Sequence, residues 1–149
     1  MKLLLFALGF SLLPAVLFGD TRISKNQLPT AVQTAMKAQT RGSHILGYSK
    51  ETEDGRTTYE VETRKNGNGR DLSFDANGHL LETEQQVQMS DVPGPARRAL
   101  EQRTRGGEIT KVESVTAGNS VSYEATVTMK NGRKTEVAVN ADGTPHKGD

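Results

Sequence analysis

Cysteine and tryptophan are absent from this 149-residue chain, and aromatic residues make up only 5% of it. The lack of cysteine excludes disulfide bonds, thiolate nucleophiles and thiolate metal ligands. Neither sign of charge is in excess, because 19 Lys and Arg stand against 18 Asp and Glu. A nucleic-acid-binding domain typically has a basic excess, so the composition predicts no nucleic-acid partner. The length fits one domain or two very small ones.

One long apolar run is present, and it lies at the N-terminus. It extends from Leu3 to Phe18, after the single charge of Lys2. The run is shorter than the ~20 apolar residues that span a bilayer and is typical of a secretory signal peptide. We therefore predict a signal peptide over residues 1–19, cleaved after Gly19, and a periplasmic or secreted protein with no stable membrane insertion after signal removal. An uncleaved membrane anchor is the alternative.

The chain after this segment repeats itself. When it is shifted by 64 residues, nine of the 32 positions from 29 to 60 are identical. About two identities are expected at roughly one chance match per 15 to 20 positions. After a one-residue insertion the match continues at an offset of 65. This self-similarity predicts two tandem copies of one structural unit. The matching segments include Thr40-Arg41-Gly42 with Thr104-Arg105-Gly106, Tyr59-Glu60 with Tyr123-Glu124, and Asn66-Gly67 with Asn131-Gly132.

Each copy has the pattern of one helix followed by strands. Val32 and Met36 lie at helical spacing in the first copy, as do Ala96 and Leu100 in the second, where we expect Asp91 to be the N-cap. Alternating strands separated by Asn-Gly and Asp-Gly turns follow each helix. The sequence therefore predicts an α+β fold, a tandem repeat of a helix followed by an antiparallel β-meander. It leaves open whether the two sheets join into one curved sheet with the helices on one face.

The predicted strands have one apolar and one polar face. Tyr59 and Val61 alternate with Glu60 and Glu62, so the tyrosine is expected to face the core, and Tyr123 of the second copy repeats this pattern. The polar face is expected to be acidic, and we identify four of its residues as candidate binding residues: Glu60, Glu62, Glu124 and Glu136. Asp71 is expected on the same face.

No pattern typical of catalysis is present. The three histidines have no metal-ligand spacing, and no serine lies in a Gly-x-Ser-x-Gly motif. Asp75-Ala76-Asn77-Gly78 resembles the start of a calcium loop, but it lacks the terminal acid and is better explained as a hairpin turn. We predict a protein that is not an enzyme and has no cofactor and no metal site.

Several of these segments together resemble a known family. Leu28-Pro29, Tyr59-Glu60-Val61 and Phe74-Asp75-Ala76-Asn77-Gly78 are similar to the PepSY-like family of small exported bacterial proteins, also described as beta-lactamase-inhibitor-like. The resemblance extends from Leu28 to Gly143. It implies a sheet with helices on one side and a concave solvent face on the other, and a binding or inhibitory role in the periplasm.

The sequence thus divides into five predicted segments. They are a signal peptide (1–19), a linker (20–27), repeat 1 (28–87), repeat 2 (88–144) and a C-terminal tail (145–149).

Three functional hypotheses follow. The first is a non-enzymatic exported module that binds or modulates an envelope or secreted protein. The second is a periplasmic protein that binds a small molecule or a cation through the acidic face, and the third is a self-associating structural protein. Aromatic residues carry most of the binding energy at protein interfaces, so their scarcity here disfavours inhibition of a beta-lactamase. Of the three, we expect the protein-binding module.

Overall fold

The computed structural model describes residues 21–53 and 55–146. The predicted signal peptide and its cleavage site lie outside this range. The described chain contains two α-helices, α1 (Thr30–Gln39) and α2 (Gly94–Gln102). The strands are β1 (Thr21–Ile23), β2 (His44–Glu53), β3 (Arg56–Lys65), β4 (Asn68–Phe74), β5 (Leu80–Gln86), β6 (Glu108–Ala117), β7 (Ser120–Thr128) and β8 (Lys134–Asn140).

The strands form one eight-stranded sheet in which the spatial order is the chain order from β1 to β8. Every neighbouring pair is antiparallel. α1 precedes β2 to β5, and α2 precedes β6 to β8. The expectation of an antiparallel sheet is confirmed, and the open question is answered, because β5 pairs with β6 and so joins the two halves. None of the helices within the described ranges is long and apolar enough to cross a membrane.

Both helices begin directly after a proline. Pro29 precedes α1 and Pro93 precedes α2, each with an extended backbone that sets the entry of the helix. The prediction that Asp91 caps α2 is wrong, since Asp91 lies in a short 3₁₀ turn, Met89–Asp91, ahead of the helix. A residue that precedes proline is pushed out of the α region, so the chain at Val92 is extended and α2 cannot begin before Pro93.

Both helices pack on the same face of the sheet. In the first half α1 covers a cluster formed by Leu28, Val32, Met36, Val61, Leu72 and Phe74. In the second half α2 covers a cluster formed by Val92, Ala96, Leu100, Val112, Ala125 and Val139. The strand register shows that both clusters lie on one face. Leu72 pairs with Thr83 and Thr83 pairs with Thr116, which is four residues along β6 from Val112 and therefore on the same side. Tyr59 and Tyr123 pack against the two clusters, as expected.

The predicted hairpin turns lie between consecutive strands. Asn66 and Gly67 join β3 to β4 with positive φ values of 52° and 87°, the backbone of a type I′ turn. Asp75 closes the turn between β4 and β5 by accepting hydrogen bonds at Oδ1 from the backbone N–H groups of Asn77 and His79, both at 2.9 Å. The turn interpretation of this segment therefore has a direct structural basis.

The outer edge of the sheet at β8 is partly covered by the chain that follows it. Val139 forms a single bridge with Pro145, and the His146 N–H donates to the Ala138 carbonyl at 3.3 Å. The aligned pair in the first half, Phe74 with Leu80, is the start of β5. Among the residues described, the second half therefore has only the first bridge of a fourth strand.

Candidate functional site

The sheet face opposite the helices carries the predicted binding residues. Glu60 and Glu62 on β3 flank Val61, whose side chain is buried under α1, so both carboxylates point to the other side. Glu124 on β7 and Glu136 on β8 lie on that same side. No helix or strand of the described ranges covers it. The four residues thus share one open surface, spread from the third strand to the eighth.

Strand register adds carboxylates that the sequence patterns did not single out. Asp71 pairs with both Glu62 and Glu84, and Glu113 pairs with Glu124. We call the whole set the acidic face, and its members are Glu60, Glu62, Asp71, Glu82, Glu84, Glu113, Glu124 and Glu136. Glu82, Glu84 and Glu113 were missed because no inward and outward face was assigned to β5 or β6 from the sequence. Alternation along these two strands places all three on the face that carries Glu60 and Glu124.

Three of these groups come close together at the middle of the sheet. Carboxylate oxygens of Asp71, Glu84 and Glu113 lie within 4.8 Å of one another. They come from three adjacent strands, β4, β5 and β6. Negative charges at this separation repel strongly unless a proton or a cation lies among them. Lys111 supplies one positive charge, with its Nζ 2.7 Å from Oε2 of Glu113.

Burial and mutual repulsion shift the protonation of this group. Removal from water and then the charges of Glu113, Glu82, Glu124 and Glu60 raise the pKa of Glu84 to about 8. Burial also raises the pKa of Glu82, against a hydrogen bond with Glu84 that lowers it.

Asp71 and Lys111 respond to the same surroundings. Burial raises the pKa of Asp71, and a hydrogen bond with the Thr63 backbone opposes part of that rise. Burial lowers the pKa of Lys111, but its hydrogen bond to Glu113 and the negative charges around it outweigh this, so the net shift is upward. Near neutral pH the Glu84 carboxyl group, with its pKa of about 8, therefore keeps a proton close to the ammonium group of Lys111.

A second cation lies toward the β1 edge. Nη1 of Arg22 is 2.8 Å from Oε1 of Glu62, and both side chains are solvent-accessible. Ser49 donates a hydrogen bond from Oγ to Oε2 of Glu60 at 3.1 Å. The negative charge of the acidic face is thus partly balanced by Arg22 toward the β1 edge and by Lys111 at the middle of the sheet.

The floor between these carboxylates is made of small side chains. Val115, Ser122 and Ala138 point to the open side yet are 6%, 4% and 2% exposed. The acidic face therefore combines carboxylates with small, buried side chains that lie between them.

The histidines do not join this site. His79 lies 2.8 Å from Asp75 in the turn after β4, and His146 contacts the side chain of Asn140 at 2.9 Å beyond β8. His44 begins β2. Within the described ranges, the group of three carboxylates is the one set of potential ligand residues close enough to meet, and it contains no histidine.

Three solved structures of other proteins have a similar fold. A Bacteroides eggerthii protein named "putative periplasmic" has a TM-score of 0.63 and 16% identity, over 78% of this chain and 84% of that one. A BLIP-like protein from Bacteroides fragilis has a TM-score of 0.57 and 22% identity, over 79% and 83%. A DUF2874 family protein from Bacteroides uniformis has a TM-score of 0.62 and 20% identity, over 78% and 85%. No curated protein matches the sequence.

The family model described as "Putative beta-lactamase-inhibitor-like, PepSY-like" matches the sequence in two regions, residues 19–82 and 57–144. Together these regions cover most of the chain, including both helices and all eight strands. The chain belongs to the PepSY-like, beta-lactamase-inhibitor-like family.

Proposed function

We propose that this protein is a non-enzymatic, exported binding module whose acidic face receives a basic surface of an envelope or secreted protein. One observation carries the proposal: an uncovered sheet face on which carboxylates outnumber the cations Arg22 and Lys111 that pair with them. Such a surface attracts positive charge and steers its approach. A periplasmic location is supported by the name of the B. eggerthii relative.

The extent of the acidic face favours a macromolecular partner. From Glu60 on β3 to Glu136 on β8 there are five strand-to-strand steps, or about 24 Å at ~4.8 Å per step. A small molecule fills an enclosed pocket, whereas this face is open along its whole width. A protein surface of ordinary interface size would cover it.

The chemistry of the face predicts how such a partner is recognised. The tyrosines Tyr48, Tyr59 and Tyr123 all pack against the helix-side clusters, and Phe74 lies within one of them. Aromatic anchors, which dominate many protein interfaces, are thus on the opposite side of the sheet. Binding should rest on charge and weaken as salt screens it.

Self-association through the sheet edges has less support. β1 is three residues long, and the bridge to Pro145 occupies part of the edge at β8. Short and covered edges limit pairing between sheets. We also propose that the two halves are copies of one helix-and-meander unit. Aligned irregularities in β2, between Ile45 and Gly47, and in β6, between Ile109 and Lys111, support this interpretation.

A charge-reversal experiment tests the binding proposal. The double variant Glu60→Lys, Glu124→Lys changes the acidic face, and the control Asp91→Lys, Glu101→Lys makes the same change in net charge at exposed positions on the helix side. Affinity for a lysine-rich peptide is measured by calorimetry at low and high salt. We expect the control to bind like the native protein and the face variant to bind at least tenfold more weakly. Equal losses in both variants would show attraction to net charge alone and reject the face.

A further inference from the structure

The pairing of β5 with β6 is the only place where strands of the two halves meet within the described sheet. We call this pairing the seam. It extends from Glu82 opposite Ala117 to Gln86 opposite Glu113. The next pairing, β6 with β7, runs from Glu108 to Ala117 and is twice as long. The seam is therefore short, and the pairing of β4 with β5 beside it also has five paired residues.

The close carboxyl group lies on this seam. Glu84 and Glu113 come from its two strands, and Asp71 lies opposite Glu84 on β4. Their oxygens lie within 4.8 Å of one another, and Glu113 is only 7% exposed. Little water screens charges held at this distance among partly buried side chains, so full ionisation of all three would push the strands apart.

The charged groups around Glu84 add to this repulsion on nearly every side. Among the residues described, Lys111 on β6 forms an ion pair with the group, through Glu113. Glu136 on β8 and His146 beyond it act on Lys111 and Glu82 respectively. The carboxylates that face Glu84 are Glu60 on β3, Asp71 on β4, Glu82 on its own strand, Glu113 on β6 and Glu124 on β7.

We propose that Asp71, Glu84 and Glu113 retain a proton in common near neutral pH, and that the loss of this proton to solvent as the pH rises weakens the seam. One proton held by this group removes one of its negative charges, and on Glu84 the proton also fits the hydrogen bond between Glu84 and Glu82. The inference concerns the cohesion of the sheet and does not depend on what the acidic face binds.

The direction of the pH dependence follows from linkage. The pKa of Glu84 rises from its ordinary value of 4.5 to about 8 in the fold, through burial and then the negative charges around it. Between these two values the folded protein keeps a proton that the unfolded chain has lost. The contribution of Glu84 to stability is therefore fully present below the lower value, falls as the pH rises, and is lost once the folded group has ionised.

Urea unfolding from about pH 5 to pH 9 tests the proposal, because this interval covers the change in protonation. The protein, Glu84→Gln and Glu136→Gln are compared at constant ionic strength with EDTA present, so that no divalent cation replaces the proton. Glu136 is the matched control, since it is an exposed glutamate on the same face. We expect the urea midpoint of the native protein and of the control to fall as the pH rises. Glu84→Gln, which keeps a neutral side chain, should lose most of that fall and exceed the native midpoint at the alkaline end.

Two further measurements make the test independent of whether Glu84→Gln folds. Carbon-detected NMR of the native protein follows the titration of the Glu84 carboxyl group directly. Hydrogen exchange, corrected for the intrinsic effect of pH, should accelerate more at the amides of β5 and β6 than at those of β3. The proposal is overturned if the carboxyl group titrates near its ordinary value, if Glu84→Gln keeps the full native pH dependence, or if the seam amides respond no more than β3.

Discussion

The two halves of the molecule pack a helix on the sheet in the same way but fill the space with side chains of different size. The first half buries Phe74, where the aligned residue of the second half is Val139. Val32 on α1 aligns with Ala96 on α2. Each of these side chains is fully buried, so the difference is one of volume and not of exposure. The comparison indicates that the pattern of buried positions specifies the fold, and that the residue volumes are adjusted within each half.

The open sides of the two halves differ in charge arrangement. In the first half Ser49 lies opposite Glu60 and donates a hydrogen bond to it. At the aligned place in the second half, Glu113 lies opposite Glu124, so a hydroxyl donor is replaced by a second carboxylate. The positive charge needed there comes from Lys111 on the same strand. Glu113, which stands where the first half has Ser49, is thus one of the three carboxylates that come together at the middle of the sheet.

The largest expected effect comes from the core of the first half. Phe74→Ala removes the largest fully buried side chain, and we expect a loss of about 3–5 kcal/mol in the free energy of unfolding. Val139→Ala at the aligned position removes far less volume and should cost about 1.5–2.5 kcal/mol. Urea unfolding monitored by circular dichroism measures both. Equal losses would contradict the view that the halves differ in packed volume.

A smaller loss of stability is expected from substitutions in the turns after β4 and β8, which are alike in the two halves. Gly78 and Gly143 follow β4 and β8 with φ values of 82° and 86°, and each turn lies against the start of a helix. A Cβ at Gly78 would lie 2.7 Å from the Ala31 carbonyl oxygen, and one at Gly143 would lie 2.7 Å from that of Pro95. Gly78→Ala should therefore cost about 2–4 kcal/mol, from backbone strain and the clash together.

Gly55 supplies the matched control for this prediction. It has a φ of 75°, but a Cβ there would have no atom within 4 Å. Gly55→Ala should cost only the strain of the left-handed backbone, roughly 1–2 kcal/mol. If Gly78→Ala is no more destabilising than Gly55→Ala, the contact between turn and helix contributes little. The change in the free energy of unfolding caused by Gly143→Ala measures the same contact between turn and helix in the second half.

The positions of the strands, and the side of the sheet on which Glu60 and Glu124 lie, could be predicted from the sequence. Both depend on local alternation and turn residues, which act over a few positions. The carboxyl cluster depends on register between strands distant in sequence. Asp71 and Glu113 come together only because β4, β5 and β6 are neighbours, and nothing local to either residue specifies that. The start of α2 was mispredicted at Asp91 because the proline at position 93 overrides a good capping residue.

The smallest change in stability, and the sharpest test of the difference between the two open sides, comes from Glu113→Ser. This substitution gives the second half the residue found at position 49 in the first. It removes the nearest negative charge acting on Glu84, so the pKa of Glu84 should fall below its native value of about 8. Lys111 loses its partner, but its side chain is 42% exposed and can be hydrated.

Stability at neutral pH should change by less than about 1 kcal/mol, because the loss of the ion pair with Lys111 is offset by the loss of repulsion among the three carboxylates. NMR titration of the Glu84 carboxyl group measures the shift, with Glu136→Ser as a control that removes an exposed carboxylate from the same face. A Glu84 pKa that moves equally in both variants would mean that the overall charge of the face sets the proton affinity. A shift confined to Glu113→Ser would assign it to the close contact at the seam, and would trace the distinct behaviour of the two halves to a single aligned position.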